Sequence, residues 1–412
     1  MKKLKSIDDI IVKDLCISCG ACVSSLPEGK GKMILDSNKG IYVPQLDLRD
    51  DNDIAKRAFD VCPGKGLAID QISEDLFGDT PHKRYELGRY RIFFAAHASD
   101  RQILEHASSG GVITTIAAYL LNQGLIQGVT ASRFVYGNTG PRVESFMATS
   151  LEDLISAQGS KYCPTSTNTL ITQCRKQGGA FLFSGTPCHI EALRLAQQQD
   201  SSLKELFPYT IANFCAGYRD YRHLDGMIRY DQMDPEAVTY FRFRGGGQPG
   251  SLKAEDKNGR TISAPYPDYD RRTQITKQKR CVYCIDATGE LADFSCGDAW
   301  LDRLLETDTP WSIILGRSKK AEQILKDMIQ EGILTTTDVT EDEICYSQRQ
   351  NLQSKKFRQR KRMILSKLFG IALPQWDVQL VNQGSYLREL RTLFGKTRLG
   401  LKWRNLKQKY RR

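Results

Sequence analysis

The chain has 412 residues, of which 40% are hydrophobic and 26% are charged. This length and composition leave room for two or three domains with buried cores, which excludes a disordered tail or a small disulfide-stapled module. No stretch reaches the roughly 18 apolar residues of a membrane span, and the Lys-rich start lacks the apolar segment of a secretory signal. We therefore expect a cytoplasmic protein, whose twelve cysteines are metal ligands and some buried thiols rather than disulfides.

The first segment, residues 1–75, holds four cysteines among glycines and prolines. The turn signal SNKG at residues 37–40 lies between two apolar runs and predicts a hairpin. Three of the cysteines, Cys16, Cys19 and Cys22, have the spacing C-x2-C-x2-C, and Cys62 follows in a Cys-Pro pair. We expect this segment to be a ferredoxin-like domain.

Thiolates at this spacing wrap one face of a 4Fe-4S cluster, and a distant fourth thiolate closes the cluster. In two-cluster ferredoxins each such run ends in a further Cys-Pro, but here Leu26-Pro27 occupies that place. The pattern is therefore that of a ferredoxin that has lost one site and keeps a single cluster at Cys16, Cys19, Cys22 and Cys62. A zinc knuckle is the alternative, although it usually has two separated Cys pairs or a Cys/His mixture.

The second segment, residues 88–350, alternates short apolar runs with helical patterns, which is typical of an α/β sheet. The predicted strands include Phe93–Ala96, Ala180–Ser184 and Thr210–Phe214, and the predicted helices include Val112–Asn122 and Cys188–Gln198.

A second cysteine set lies in this segment. Cys188 opens a predicted helix, whose positive end is expected to favour the thiolate. Cys215 ends the next predicted strand, so the two thiols meet at the carboxyl edge of the sheet if the strands are parallel neighbours. Cys281 and Cys284 form a C-x2-C pair that would complete a four-thiolate site. The alternatives are zinc at this pair with other partners, or buried free thiols at positions 188 and 215.

The other cysteines are predicted to be buried thiols: Cys163, Cys174, Cys296 and Cys345. Cys296 is close enough in sequence to the C-x2-C pair to serve as a spare ligand. Among the five histidines, only His189, beside a predicted ligand, is a candidate proton donor, although a residue in the first turn of a helix is more often structural.

Two loops have the composition of a dinucleotide site. Ser108, Ser109, Gly110 and Gly111 precede a helix and suit a phosphate, while Ser160, Lys161 and Tyr162 add a hydroxyl, a cation and a stackable ring. An ordinary helix start and a surface turn are the alternatives. The only G-x-G-x-x-G run, Gly245–Gly250, leads into a predicted strand rather than a helix, so it is not a dinucleotide fingerprint.

The motifs SSGG, GSKY, GTPCH, FCAG, RCVYC and LADFSCGDAW follow one another along the chain. In this order they resemble the family of coenzyme F-420 hydrogenase/dehydrogenase beta subunits, whose relatives include chlorophyll-pigment reductases, over residues 1 to about 345. The resemblance implies FAD at the two loops and a 4Fe-4S cluster at Cys188, Cys215, Cys281 and Cys284. The chain departs from the family at His189, where many members have Gln, and at Cys296, where a small or apolar residue is expected.

The third segment, residues 351–412, is basic and is expected to be helical. From Lys355 to Arg412 there are 17 Lys and Arg against two acidic residues, which gives this tail a net charge of +15 although the whole chain carries +11. Bases alternate there with apolar residues such as Leu393 and Trp403, which is typical of a helix that binds an anionic membrane surface or a partner protein. A solvated helix or a disordered tail is the alternative.

These features predict an α/β (α+β) flavin-binding domain with an N-terminal ferredoxin-like 4Fe-4S domain and a basic helical tail. We expect an iron–sulfur flavoprotein oxidoreductase in which electrons from a donor such as ferredoxin pass through the clusters to FAD and a small-molecule substrate. One alternative is a non-catalytic electron-transfer subunit of a larger hydrogenase or dehydrogenase, including one linked to coenzyme F-420. A nucleic-acid-binding protein with structural metal is another, and it is not favoured.

Overall fold

The protein is described here by a computed structural model that covers residues 4–48, 51–271 and 277–394. Its α-helices are α1 (Ile7–Val12), α2 (Ala21–Ser24), α3 (Asn52–Asp60), α4 (Ile69–Phe77), α5 (Arg101–His106), α6 (Val112–Asn122), α7 (Leu151–Ser156), α8 (Leu170–Gln177), α9 (Pro187–Gln199), α10 (Leu203–Leu206), α11 (Tyr221–Tyr230), α12 (Lys279–Val282), α13 (Asp302–Leu305), α14 (Lys319–Gln330), α15 (Glu341–Ser347), α16 (Arg349–Leu352), α17 (Gln359–Leu368) and α18 (Tyr386–Phe394).

The β-strands are β1 (Gly31–Asp36), β2 (Ile41–Leu46), β3 (Gly66–Leu67), β4 (His82–Arg84), β5 (Gly88–Tyr90), β6 (Ile92–Ala98), β7 (Gly128–Val135), β8 (Arg142–Ala148), β9 (Phe181–Gly185), β10 (Tyr209–Asn213), β11 (Val238–Arg242), β12 (Ser251–Asp256), β13 (Thr261–Pro265), β14 (Phe294–Asp298), β15 (Ser312–Gly316), β16 (Leu334–Thr337) and β17 (Gln375–Trp376). The strands and helices predicted from the sequence are confirmed to within two residues, and the SNKG turn joins β1 to β2 as an antiparallel hairpin.

A mixed eight-stranded sheet organises the fold, with the order β16-β6-β15-β14-β10-β9-β7-β8. Its centre is parallel, because β10 pairs in parallel with both β9 and β14, and β9 pairs in parallel with β7. The flanking pairs are antiparallel. The parallel centre brings the carboxyl ends of β9 and β10 to one edge, as the sequence predicted.

The sheet is covered on both faces, as the apolar run of β9 requires. Phe181 and Phe183 pack with α9 on one face, whereas Leu182 packs with α6 and α14 on the other. Successive side chains of a strand point to opposite faces, so a continuous apolar run is buried on both sides. A smaller antiparallel sheet, β11-β12-β13, has its own apolar cluster with α11.

The N-terminal segment shares its core with the main sheet. Cys19 and Val61 belong to the same buried cluster as Ile190 and Leu193 of α9. A second cluster of buried apolar side chains contains Cys22 and other N-terminal residues together with residues from far along the chain. The segment predicted as a ferredoxin-like domain therefore packs directly against the layer that carries the second cysteine set.

The C-terminal segment is helical, as predicted, but much of its charge is buried. Lys355, Lys356 and Arg362 are only 2–4% exposed, so the expectation of a solvated or membrane-facing basic face is wrong for these residues. A five-residue π-helical turn, Gln353–Phe357, turns the first two of them inward before α17 begins. Residues 395–412, including Trp403, lie outside the described residues. None of the described helices has the length and apolar character needed to cross a membrane.

Candidate functional site: two sets of four cysteines and two adjoining loops

The first cysteine set, Cys16, Cys19, Cys22 and Cys62, comes together around the short helix α2. Ser18 has a φ of 65° and Gly20 a φ of 83°, and these left-handed residues turn the chain sharply between the thiols. Burial raises the pKa of the Cys16 thiol to about 12, and the neighbouring Cys62 thiol adds to the rise. Burial and the other thiols of the set also raise the pKa values of Cys19 and Cys22.

Backbone N–H groups point at these sulfurs. The Ser18 N–H donates to Cys16 Sγ at 3.4 Å, and the backbone at Gly64 interacts in the same way with Cys62. There is no room for a side chain at Gly64, where a Cβ would lie 3.2 Å from Cys62 Sγ and 3.0 Å from the Leu15 carbonyl oxygen. Sulfur ligands that accept backbone N–H bonds suit an iron–sulfur cluster.

The second cysteine set is assembled from three parts of the chain. Cys188 follows β9 in the first turn of α9, and Cys215 follows β10, so both lie at the carboxyl edge of the sheet. Cys281 lies in α12, and Cys284 follows this helix. The electrostatic neighbours of Cys188 include the thiols of Cys215 and Cys281, and the Gly217 N–H donates to Cys215 Sγ at 3.3 Å.

The Cys188 thiol does not gain the acidity that its helix position predicted. Burial raises its pKa well above the usual value, and the nearby charges of Glu191, Cys215 and Cys281 add to this. The prediction is therefore wrong for the free thiol, because burial and negative neighbours outweigh the end of α9. Glu191 is itself fully buried, and burial raises its pKa to about 7 although Arg280 lowers it.

Helix α12 joins the two cysteine sets. Arg280 donates to the Pro63 carbonyl oxygen, next to Cys62, and to Glu191 Oε2 at 3.2 Å, one turn after Cys188. This arginine is only 1% exposed. Its guanidinium therefore lies between the first and second sets and ties the loops of both together.

Tyr218 also lies between the two sets. Its electrostatic neighbours are Cys281 and Cys188 of the second set and Cys16 of the first. Its hydroxyl oxygen is buried without a partner at hydrogen-bond distance among the described residues, although the Ser18 side chain is close enough to interact with it. No motif in the sequence identifies this residue.

The two predicted dinucleotide loops meet each other. The Ser160 N–H donates to Ser108 Oγ at 3.2 Å. Gly110 packs tightly against the sheet, since a Cβ there would lie 2.4 Å from the Ala96 carbonyl oxygen. Gly111 precedes α6 with a φ of 72°, and no side chain caps the N-terminus of this helix. These features fit an anionic group at the start of α6.

Arg244 is a site residue that the sequence did not reveal. Its guanidinium binds both carboxylate oxygens of Asp298, at 2.8 and 3.1 Å, and donates to the Ser108 carbonyl oxygen at 2.8 Å. The Gly245–Gly250 run follows it directly and leads into strand β12, which confirms that the run is not a dinucleotide fingerprint. The Gly245–Gly250 run nevertheless holds Arg244 against the SSGG loop, because Arg244 Nε donates to the Pro249 carbonyl oxygen.

Lys161 and His189 have local structural partners. The Lys161 ammonium donates to the carbonyl oxygens of Ala157, Gln158 and Gly159 at the end of α7, and burial lowers its pKa to about 7. His189 Nδ1 faces the N–H and hydroxyl of Thr186 at the start of α9, and burial lowers the His189 pKa to about 4. His189 is therefore a neutral capping residue, and its role as proton donor stays a prediction.

The remaining cysteines are placed largely as predicted. Cys163, Cys174 and Cys296 are buried, whereas Cys345 is only partly buried. Cys296 packs in the apolar cluster beneath α6, and burial alone raises its pKa, with no other thiol among its electrostatic neighbours. The structure therefore does not place it as a spare ligand. Within the described residues, no group of three or more His, Cys, Asp or Glu side chains is arranged to hold a metal ion.

Comparison with known proteins assigns the family. Residues 93–172 match the model for the N-terminal part of the coenzyme F420 hydrogenase/dehydrogenase beta subunit, and residues 179–342 match that for its C-terminal part. Together the two matches cover more than half of the chain. The fold and these matches define an oxidoreductase of the electron-transfer class. The chain belongs to the family of coenzyme F420 hydrogenase/dehydrogenase beta subunits, as the resemblance of its motifs implied.

Relatives of this chain include subunits of larger enzymes. It is 25% identical to the coenzyme F420 hydrogenase subunit beta of Methanococcus voltae, over 70% of this chain and 99% of that protein. It is 26% identical to a subunit of the F(420)H(2) dehydrogenase of Methanosarcina mazei, over 73% and 82% of the two chains. A chain of the F420-reducing NiFe hydrogenase complex of Methanosarcina barkeri has a similar fold, with a TM-score of 0.57, 21% identity, and coverage of 71% of this chain and 98% of that one.

Proposed function

We propose that this protein is an iron–sulfur flavoprotein with two 4Fe-4S clusters and one FAD. The observation that carries the proposal is the pair of four-cysteine sets, which come from separate parts of the sequence and are joined by α12. Each set offers four thiols, the usual ligand number for a 4Fe-4S cluster. When bound, such clusters exchange single electrons and a flavin exchanges one or two, which is the chemistry needed between a one-electron donor and a two-electron substrate.

The thiols of the two sets have the ligand type and number that this role needs, although no group among the described residues is already arranged as a metal site. Cys16, Cys19, Cys22 and Cys62 would hold the first cluster, and Cys188, Cys215, Cys281 and Cys284 the second. The backbone N–H groups directed at Cys16 and Cys215 would stabilise the deprotonated sulfurs that metal binding requires. Metal binding would also offset the cost of burying these thiols as thiolates.

The FAD site is proposed at the loops that contain Ser108 and Ser160. The uncapped start of α6 supplies backbone N–H groups for a phosphate, and Arg244, which is paired with Asp298, fixes the loop by binding the Ser108 carbonyl oxygen. The ring of Tyr162, which packs 5.1 Å from that of Phe243, offers an aromatic surface nearby. Lys161 reaches a phosphate only by leaving its three carbonyl partners.

The lysines beside the first set favour it as the point of entry for electrons. Cys16 is partly buried, as are Cys188 and Cys215 of the second set, and Lys39 is among the electrostatic neighbours of Cys16. Lys279 of α12 donates to the Lys13 carbonyl oxygen close to the same loop. Lysines beside a partly buried thiol suit an acidic protein donor such as ferredoxin.

The test is the cofactor content of the full chain purified without oxygen. We expect about eight iron atoms, a matching amount of acid-labile sulfide and about one FAD per chain. Release of the flavin by acid and its identification by chromatography separates FAD from other flavins. A colourless protein with zinc would overturn the proposal, whereas iron without flavin would retain only the electron-transfer part.

A second candidate is a subunit that transfers electrons within a larger complex. Its basis is that two of the relatives are named as a hydrogenase subunit and a dehydrogenase subunit. The two candidates differ in turnover. Reduction of F420 by the isolated, fully loaded chain with reduced ferredoxin favours an autonomous F420-linked enzyme, whereas flavin reduction without turnover favours the subunit.

A further inference from the structure

Side chains of the C-terminal segment form hydrogen bonds with the loop that carries Cys281 and Cys284. Gln359 Nε2 donates to the carbonyl oxygens of Val282 and Cys284, at 2.8 and 2.6 Å. Arg362 also donates to the Val282 carbonyl oxygen. The Tyr283 hydroxyl lies 3.0 Å from Ser366 Oγ. We call Lys355, Gln359, Arg362 and Ser366 the C-terminal clasp.

Lys355 of the clasp brings a positive charge to the second cysteine set. It is only 2% exposed, and its ammonium donates to the Asp286 carbonyl oxygen at 2.6 Å. Among the charged or ionisable groups around it, the thiols of Cys284, Cys215 and Cys281 interact with it most strongly. Three of the four cysteines of the second set therefore interact with this one ammonium.

This ammonium forms no ion pair with a carboxylate of the described residues. The adjacent Lys356 pairs with Glu290, but no carboxylate of the described residues lies within 4 Å of the Lys355 ammonium. The carboxylate of Asp286 instead accepts the N–H groups of Thr288, Gly289 and Glu290. The carboxylates of Asp286 and Glu191 act on the ammonium only from beyond 4 Å, and neutral thiols would add little to offset the cost of burying it.

We propose that the C-terminal clasp is part of the second cluster site, with Lys355 as the counter-charge to the metal-bound thiolates and Gln359 as the residue that positions their loop. The inference rests on the proposed second cluster. It concerns residues beyond position 342, where the family match ends. It gives the basic C-terminal segment an internal role in electron transfer. Lys355 is a positioning residue, because it acts on the cysteine ligands.

The direction in which Lys355 shifts the midpoint potential of the second cluster follows from its charge. Reduction adds a negative charge to a cluster, and a nearby fixed cation stabilises that charge. Removal of the cation therefore lowers the midpoint potential of the second cluster. The first cluster is held by other loops, so its potential serves as an internal reference in the same molecule.

The experiment compares the full chain with Lys355→Met and with Lys367→Met, a control at an exposed position near the end of α17. Redox titration followed by electron paramagnetic resonance gives both midpoint potentials, and iron analysis gives cluster content. We expect Lys355→Met to shift one potential to more negative values and to lose iron faster to a chelator, with the other potential unchanged. Lys367→Met should match the parent.

Two results are decisive in different ways. If the parent holds about eight iron atoms and Lys355→Met keeps both potentials and the parent rate of iron loss, the clasp inference is wrong while the proposed function stands. If the parent holds only about four, the second cluster and the inference both fail. Should Lys355→Met not fold, Lys355→Gln keeps a donor for the Asp286 carbonyl without the charge, and the same shift is expected.

Discussion

Gln278 Nε2 donates a hydrogen bond to the Cys16 carbonyl oxygen at 2.7 Å, which joins two residues 262 positions apart. Gln278 precedes α12, which carries Cys281, and its own N–H donates to the Tyr218 carbonyl oxygen at 3.2 Å. One side chain thus fixes the loop of the first cysteine set relative to the second. The two sets are consequently built as one unit, although each draws on its own cysteines.

Replacing Gln278 with Leu should loosen that connection. The Cys16 carbonyl would lose its side-chain donor, which costs about 1 kcal/mol of unfolding free energy. We expect a lower midpoint of chemical unfolding and faster loss of iron from the first set than in the parent. Gln323→Leu is the matched control, because the Gln323 side chain donates to Asp327 on the exposed face of α14. Equal midpoints for both variants would contradict the role given to Gln278.

Tyr218→Phe should not destabilise the metal-free protein, but it should change a midpoint potential of the loaded protein. Among the described residues the hydroxyl is buried without a partner at hydrogen-bond distance, so removing it from the metal-free protein should leave the free energy of unfolding unchanged or raise it by about 1 kcal/mol. In the loaded protein the hydroxyl would be available to donate to one of the nearby thiolates, in which case its loss should lower one midpoint potential. Calorimetry of the first form and redox titration of the second check this. A destabilised metal-free variant would show that the hydroxyl bonds to Ser18 instead.

Lys161 should make stability depend on pH. Its pKa in the folded chain is lowered to about 7, against 10.5 ordinarily, because the ammonium is buried. Between these values the unfolded chain binds the extra proton, so the free energy of unfolding rises with pH. We expect the flavin-free parent to gain stability relative to Lys161→Met between pH 7 and about 9. Denaturant titrations at both pH values measure the difference, and parallel curves would refute the lowered pKa.

Arg244→Met tests the loop that we propose for FAD. The guanidinium is buried but the carboxylate of its partner Asp298 is partly exposed, so removing the guanidinium should cost about 1–3 kcal/mol. We expect a lower unfolding temperature and loss of flavin with iron retained. Arg303→Met removes an exposed pair with Glu343 and should cost less than about 1 kcal/mol. Flavin retained at the parent level in Arg244→Met would place the FAD elsewhere.

The sequence predicted the elements that depend on local patterns. The bounds of α6 follow from its apolar periodicity and the preceding glycines, and the meeting of Cys188 with Cys215 follows from two parallel strands. Contacts between distant segments have no such signal. The clasp residue Lys355 has the sequence pattern of a solvated basic run, because nothing local shows that a π-helical turn points it inward. Arg244 was missed because its partner, Asp298, is 54 positions away.

Each of the two cysteine sets should hold its own 4Fe-4S cluster, and iron analysis of single Cys variants tests this most directly. We expect Cys19→Ser and Cys284→Ser each to lose about four of about eight iron atoms per chain, with Cys19→Ser keeping its flavin. Because a metal site contributes folding free energy, Cys284→Ser should lower flavin retention as well. Cys296→Ser, in the apolar core, should keep all the iron. Full iron in Cys284→Ser together with iron loss in Cys296→Ser would contradict the account.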